Sequence, residues 1–533
     1  MGYPLTLTPI LERAGRLFGK VEVVSRRPDR SLHRTSYAQI YRRARALAAA
    51  LDHAGLRRGE RVATLMWNHA VHLEAYFGIP VAGGVLHTLN LRLHPGDLAF
   101  IANHAEDRFL IVDDNLLPLY EKFRGEVRFE RVFVVPQCGQ PLPQGCESYE
   151  EFVAGGLERA AAFRYPELDE NDAAAMCYTS GTTGAPKGVL YSHRAIVLHS
   201  LAEATVDILA VSQRDTVLAV VPMFHANAWG LPFACTMAGC KQVLPGPHLD
   251  AESLLDLLES ERVTLAAGVP TVWMGILAAL EKEPQRWQCG SMRMLVGGSA
   301  VPEAMLRAFD RHGMRIVQGW GMTEMSPLGT TSWLKSYLED LPEEERYRLR
   351  AMQGLPAPFV EVRAMAEDGE TPWDGRSMGE LQVRGPWIAA QYHNLETECD
   401  RWTGDGWLRT GDVVTIEPEG YVKIADRTKD LIKSGGEWIS SVDLENMLMG
   451  HPAVKEAAVI ALPHPKWDER PLAVVVLKEG AAASAEDLKA WLEAKFTRWQ
   501  LPDAFVFADQ IPRTSVGKFQ KMRLRELYQD WKW

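Results

Sequence analysis

Residues 61–114 read RVATLMWNHAVHLEAYFGIPVAGGVLHTLNLRLHPGDLAFIANHAEDRFLIVDD, and their periodicity decides the fold class. Three apolar runs of strand length, VATLMW, VLHTLN and FLIVDD, alternate with helical stretches, one through Tyr76 to Pro80 and one from Asp97. Such alternation builds β/α units on a parallel sheet, because a parallel return needs a crossover that a helix fills. The rhythm recurs at MRMLVGG, in a helix from Pro302 to Arg311 with proline at its start, and at MRIVQG. The bulk of the chain is α/β.

After about Pro372 the texture changes: GELQVRGPWI, DGWLRTGDVVTI and GYVKIADR read as short strands joined by Gly/Asp turns, a small antiparallel unit. Beyond Asp426 come a helix at Val442 to Leu448, strands AAVIAL and LAVVVL, and a helix opened by Ser484 with Asp487 three residues on. Leu488, Trp491, Leu492 and Phe496 share one face of that helix. This tail is expected to fold as an α+β unit of its own.

The chain has 533 residues, room for about three to five domain-sized units. Its 58 basic and 69 acidic residues leave a net charge of −11, which excludes a global positive field for nucleic acid. Seven cysteines without a C-x-x-C pair disfavour a disulfide framework or structural zinc. The N-terminal segment lacks a basic region leading into an apolar one, so secretion is not expected. Two uncharged runs, Thr216 to Cys240 and Val263 to Leu280, approach membrane-spanning length. Pro222, His225, Asn227 and Pro232 interrupt the first, and Gly268 and Pro270 the second, so both read as buried core whose apolar walls suit a greasy ligand.

The strongest local signal is Tyr178-Thr-Ser-Gly-Thr-Thr-Gly-Ala-Pro-Lys-Gly188, which follows the apolar strand AAAMCY. Glycine removes the side chain that blocks close approach, so backbone N–H groups and hydroxyls can turn onto phosphate oxygens, and Lys187 adds a positive charge. Gly-x-x-x-x-Gly-Lys-[Ser/Thr] is absent, which excludes Walker-type kinases and GTPases, and GWGMTE does not satisfy G-x-G-x-x-G. In Gln318-Gly-Trp-Gly-Met-Thr-Glu324 an aromatic between glycines could stack a base and a carboxylate could hold Mg²⁺. In Gly411-Asp412 the acid could accept from two ribose hydroxyls.

Seven ordered segments, YTSGTTGAPKGVLYSHR, VPMFHANAWG, LVGGSA, QGWGMTEMSP, RTGDVV, DRTKDLIKSGGEWIS and IPRTSVGKFQK, together resemble the adenylate-forming superfamily. Within it, the resemblance is to bacterial medium- and long-chain fatty acyl-CoA synthetases. It implies a large N-terminal domain, 1–425, of two α/β subdomains plus a small β unit, and a small mobile α+β C-terminal domain, 426–533, hinged at Asp426. It also implies a two-step reaction with ATP, Mg²⁺ and CoA: a carboxylate attacks the α-phosphate of ATP, and the CoA thiol then displaces AMP.

By resemblance Thr179, Ser180, Gly181, Thr182, Thr183, Gly184 and Lys187 hold the β- and γ-phosphates, and Thr179 and Glu324 place Mg²⁺. Gly298, Ser299 and Ala300 line the adenine; Gln318, Gly319, Trp320, Gly321 and Met322 form the adjoining segment, with Trp320 stacked on the base. Trp320 stands where many relatives have Tyr, so stacking survives without a phenol hydroxyl. Thr323 contacts the α-phosphate, and Asp412 and Arg427 bind the ribose. Lys518 bridges carboxylate and α-phosphate during adenylation. Lys433, Lys429 and Trp438 enter for thioester formation, with Gly435 and Gly436 leaving room for pantetheine. His225 lies near the carboxylate, and Trp229 gates the acyl tunnel.

The expected substrate is a medium- to long-chain fatty acid. One alternative is a short acid such as 3-(methylthio)propanoate; another is acyl transfer to a carrier protein, disfavoured because no carrier domain follows. A decayed, non-enzymatic adenylate binder would most simply have lost Lys518, Lys433 or Glu324, and all three are present. Expected partners are small molecules only, with no nucleic acid and no transmembrane segment. Cytoplasmic location, peripheral membrane contact and a homodimer are further expectations, the last from the resemblance alone.

Overall fold

The computed structural model describes residues 2–179, 185–395, 399–434, 437–514 and 518–533. The expectations placed on Ser180, Gly181, Thr182, Thr183, Gly184, Gly435 and Gly436 lie outside the described residues.

The opening stretch forms the centre of a seven-stranded sheet. Strand Arg61–Leu65 is flanked on one side by Val85–Thr88 and on the other by Asp107–Asp113, both parallel to it, and helices Ala70–Val81 and Pro95–His104 make the connections. Beyond Val85–Thr88 lie Ala173–Tyr178 and, antiparallel at the edge, Gly188–Ser192. The segment between those last two strands is the glycine- and hydroxyl-rich one, held at both ends by strand pairing down to Tyr178 opposite Gly188.

A second sheet of nine strands has Met314–Gly321, Met292–Val296, Leu265–Gly268, Thr216–Ala219 and Lys241–Leu244 running parallel side by side. The chain leaves Thr216–Ala219 to add Lys241–Leu244 on one side and then Leu265–Gly268 on the other, which makes this strand a topological switch point. Open α/β sheets bind ligands outside the carboxyl ends of their strands at such a point. The segments 220–229, 297–300 and 318–324 all emerge there. The two uncharged runs are spent inside this layer and its helices, and among the described residues no helix is long and apolar enough to cross a membrane.

A third, antiparallel sheet of five strands spans Glu361–Ala366 to Val422–Arg427. It begins earlier than the sequence texture indicates: Glu361–Ala366, with Val362 and Ala364 buried, already turns back onto Gly369–Glu370 before Pro372 is reached. Asp426 sits within its last strand, paired with Val413. The C-terminal part is α+β as expected. Strands Val454–His464 and Asp468–Leu477 form a long hairpin, helix Ser441–Met449 packs on it, and Ser484 caps Ala485–Glu493 reciprocally with Asp487. Leu488 and Leu492 of that helix are fully buried, while Trp491 donates its indole N–H to Met447 O at 2.8 Å.

Candidate active site

The site assembles where the nine-stranded sheet, the third sheet and the C-terminal unit meet. Val296 ends its strand and Gly297-Gly298-Ser299-Ala300 turn out from it; Gly298 has φ +89, and Gly298 and Ser299 are exposed, leaving this edge open. Gln318, expected against the nucleotide, spends its side chain on this turn instead: its Oε1 accepts from Val301 N–H at 2.8 Å. It thereby braces the loop.

Trp320 is buried, and its indole N–H donates to Asp412 Oδ2 at 3.0 Å. Arg427 Nε lies 2.5 Å from Asp412 Oδ1, and the two residues face each other in the register of adjacent strands. The indole thus supplies a polar contact of its own at the position where the resemblance expects a phenol. Asp412 keeps free lone pairs on both oxygens for further donors.

Thr323 O accepts from the Tyr191 hydroxyl at 2.7 Å, and the Glu324 carboxylate accepts from the Tyr392 hydroxyl at 2.5 Å, with Arg401 Nη2 3.9 Å away. Lys187 Nζ stands 5.1 Å from the centre of the Tyr392 ring. Thr179 Oγ1 accepts from Lys187 N–H at 3.1 Å. Tyr392 and Arg401 were not singled out from the sequence. Tyr392 lies in IAAQYHN, whose only local cue, an aromatic, is common in cores, and Arg401 ends the short 3-10 helix Cys399–Arg401.

Lys518 reaches this centre. Its Cε lies 3.6 Å from where a Cβ on Gly298 would stand. The residue is partly exposed, yet its ammonium group is desolvated. Burial first, then Arg427, pull its pKa down to about 8, against the opposing pull of Asp412 and Glu324. His225 is held neutral: burial, then Lys518 and Arg92, push its pKa down to about 3. Arg92, on the loop after Val85–Thr88, is a third residue that sequence reasoning passed over.

Between His225 and the next helix the backbone makes one left-handed turn, with φ +42, +52, +50 and +57 at Ala226, Asn227, Ala228 and Trp229 and +85 at Gly230. Left-handed helical backbone costs L-residues roughly 1–2 kcal/mol each. Strain of this kind concentrates at functional sites. The turn seats the buried Trp229 ring 3.3 Å from where a Cβ on Gly297 would stand, beside the 297–300 turn. A cavity of about 10 Å³, lined by Asn90, Tyr178, Thr179, Phe224 and His225, lies between Thr179 and this turn. A larger concavity of 410 Å³ lies at the opposite, amino ends of the strands, where Arg61 and Arg108 are already paired with Glu106, Glu60 and Glu130. Its volume does not make it the reactive site.

Lys433 lies elsewhere. It is exposed, its N–H donates to Glu469 Oε2 at 2.8 Å, and its Nζ is 5.7 Å from the centre of the exposed Trp438 ring. Lys429 is also exposed. Asp426 is buried, with Oδ2 accepting from the Ser441 N–H at 2.9 Å and from its hydroxyl. The Lys521 ammonium contacts the same hydroxyl and lies 2.8 Å from Glu445 Oε1.

Loops 220–229, 297–300 and 318–324 gathered around a desolvated lysine are the arrangement of an adenylate-forming enzyme. The chain belongs to the AMP-binding enzyme family: residues 11–393 match the family model, and 443–518 match that of the AMP-binding enzyme C-terminal domain. It is 53% identical to a long-chain-fatty-acid CoA ligase of Thermus thermophilus over 100% of this chain and 97% of the relative. It is 46% identical to a 3-methylmercaptopropionyl-CoA ligase of Ruegeria pomeroyi, covering 99% and 98%. Among solved structures, an anthranilate CoA ligase in complex with anthranoyl-AMP superposes with TM-score 0.88 at 26% identity, covering 99% of this chain and 98% of that one.

Proposed function

We propose that the chain is an ATP-dependent, AMP-forming fatty acid–CoA ligase acting on medium to long chains. The observation that carries this reading is the Lys518 ammonium group, desolvated beside Gly298 and under the influence of Asp412 and Glu324. A cation held there without a full counter-charge suits a triphosphate and a carboxylate brought together.

In the proposed first step Trp320 and residues 298–300 take the base, Asp412 and Arg427 the ribose, and Thr179 and Lys187 the outer phosphates. Lys518 draws the acid's carboxylate and the α-phosphate together. The neutral His225 adds a hydrogen bond without a competing charge. Among the described residues no cluster of three or more His, Cys, Asp or Glu side chains could hold a metal alone. Magnesium is commonly held by one or two carboxylates plus substrate phosphates, so the single buried carboxylate of Glu324 with the Thr179 hydroxyl fits it. Bound Mg²⁺ would neutralise charge on the phosphates.

In the second step the unit 426–533 turns about Asp426 and presents Lys433, Lys429 and Trp438 to the acyl-AMP for attack by the CoA thiol. The relative that activates long-chain acids supports the fatty-acid reading, and the 3-methylmercaptopropionyl relative supports a short acid as the alternative. The proposed setting is the cytoplasm, as a homodimer with peripheral membrane contact for collecting poorly soluble acids.

The test is acid-dependent pyrophosphate release, first without and then with CoA, across acids of increasing length. Activity rising toward longer chains supports the reading, since each buried CH₂ is worth about 0.8 kcal/mol. A maximum at the shortest acids would replace the fatty acid by a short one. AMP release that needs a carrier protein and ignores CoA would overturn the ligase.

A further inference from the structure

Helix His193–Glu203 carries two groups that the reaction above leaves unused. Glu203 is buried, and its Oε2 has no hydrogen-bond partner. One turn earlier, the buried His199 accepts from Leu328 N–H through Nε2 at 3.2 Å. That bond assigns the imidazole proton to Nδ1, which stands 3.8 Å from Glu203 Oε2, beyond hydrogen-bond length.

Both side chains press on the chain just behind the gate. A Cβ on Gly230 would lie 2.6 Å from His199 Nδ1 and 3.1 Å from Glu203 Oε2. Gly230 follows Trp229, and Leu328 follows the segment 318–324, so the pair stands where gate and nucleotide segments meet. The gate turn carries a second orphan: Asn227 is buried with Nδ2 unpartnered, while its Oδ1 accepts from Cys177 Sγ at 3.3 Å. Burial drives the Glu203 carboxyl well above the usual range and His199 down to about 3, which favours the neutral form of both. A neutral acid can donate as well as accept.

Buried polar groups without partners are destabilising and uncommon, and their retention at one place calls for a ligand that completes them. We infer that Glu203, with His199 beside it, is a specificity-determining group behind the acyl gate that recognises a hydroxyl carried on the acyl chain, making hydroxylated fatty acids the favoured substrates. A hydroxyl oxygen between the two residues would donate to Glu203 Oε2 and accept from His199 Nδ1–H, bridging a gap that is too long for a direct bond. A plain alkyl chain would leave both groups unpaired, and a second carboxylate would have to be desolvated. This inference rests on the CoA-ligase reading.

The test is kcat/KM for CoA-dependent AMP release by the full chain, with a saturated acid, isomers bearing one hydroxyl moved carbon by carbon, and the matching amino acid isomers. One hydroxyl isomer is expected to exceed the unsubstituted acid by about tenfold or more, because a site built to hydrogen-bond a hydroxyl rejects the analogue lacking it. Glu203→Leu should erase that preference and raise the thermal midpoint, since it removes the orphaned carboxyl. The isosteric Glu203→Gln should keep part of the preference and guards against a folding failure of the leucine variant. Equal rates for all isomers, a preference that survives Glu203→Leu, or a preference for an amino isomer would overturn the inference while the ligase reading stands. No AMP release with any acid would overturn the ligase reading and this inference with it.

Discussion

Lys518 and Lys433 belong to the same C-terminal part of the chain, yet their surroundings are opposite. Lys518 is inserted beside Gly298, its pKa drawn down to about 8 by burial and by Arg427, whereas Lys433 is exposed on a hairpin beside Trp438 and Glu469. The ammonium that has already lost water is the one beside the 297–300 turn. The difference teaches that residue type alone assigns no role: under the proposed function, placement decides which lysine would face charge as the adenylate forms, and Lys433 would act only after the proposed turn of the unit.

The sharpest way to break that contrast is Lys518→Ala. Acyl-AMP formation is expected to fall about 10²–10³-fold, the scale of losing one positioned electrostatic group. Thiolation of supplied acyl-AMP should stay within a few fold; ATP–pyrophosphate exchange and single-turnover thiolation measure the two, and equal losses would erase the division of labour. Lys433→Ala should do the reverse, slowing the CoA step by roughly 10–10². Acyl-AMP should then accumulate in quenched reactions, and its absence would count against the assigned step.

A smaller effect follows from the lowered pKa of Lys518. Above pH 8 the free chain holds this lysine largely deprotonated, and a bound triphosphate favours the charged form. ATP binding should therefore take up a proton, by up to about one per site, as pH rises through that value. Calorimetry in buffers of different ionisation enthalpy reads the uptake, which Lys518→Ala should remove and Lys433→Ala should leave intact. Finest of all, Arg427→Gln should move the midpoint of that uptake upward, because Arg427 depresses Lys518; an unchanged or lower midpoint would contradict the electrostatic account.

The β/α alternation of residues 61–114 and the capped helix from Ser484 were legible because each is written in local periodicity or in a short capping pattern. The left-handed turn at 226–229 was not. Ala-Asn-Ala-Trp holds one residue type with any liking for positive φ, and only the surrounding core forces the rest. Tyr392 under Lys187, Gln318 bracing Val301, and the His199–Glu203 pair behind Gly230 were equally hidden, since each joins residues distant in sequence.

The sequence by itself determined the α/β class, the order of the chemistry-bearing segments, the antiparallel insert and the α+β tail, because hydrogen-bond periodicity and turn stereochemistry act within a few residues. Tertiary structure alone decided which lysine is desolvated, which carboxylates are paired or orphaned, and where the switch point of the nine-stranded sheet collects the loops. Burial and electrostatics depend on neighbours brought from across the chain, and no local pattern encodes them.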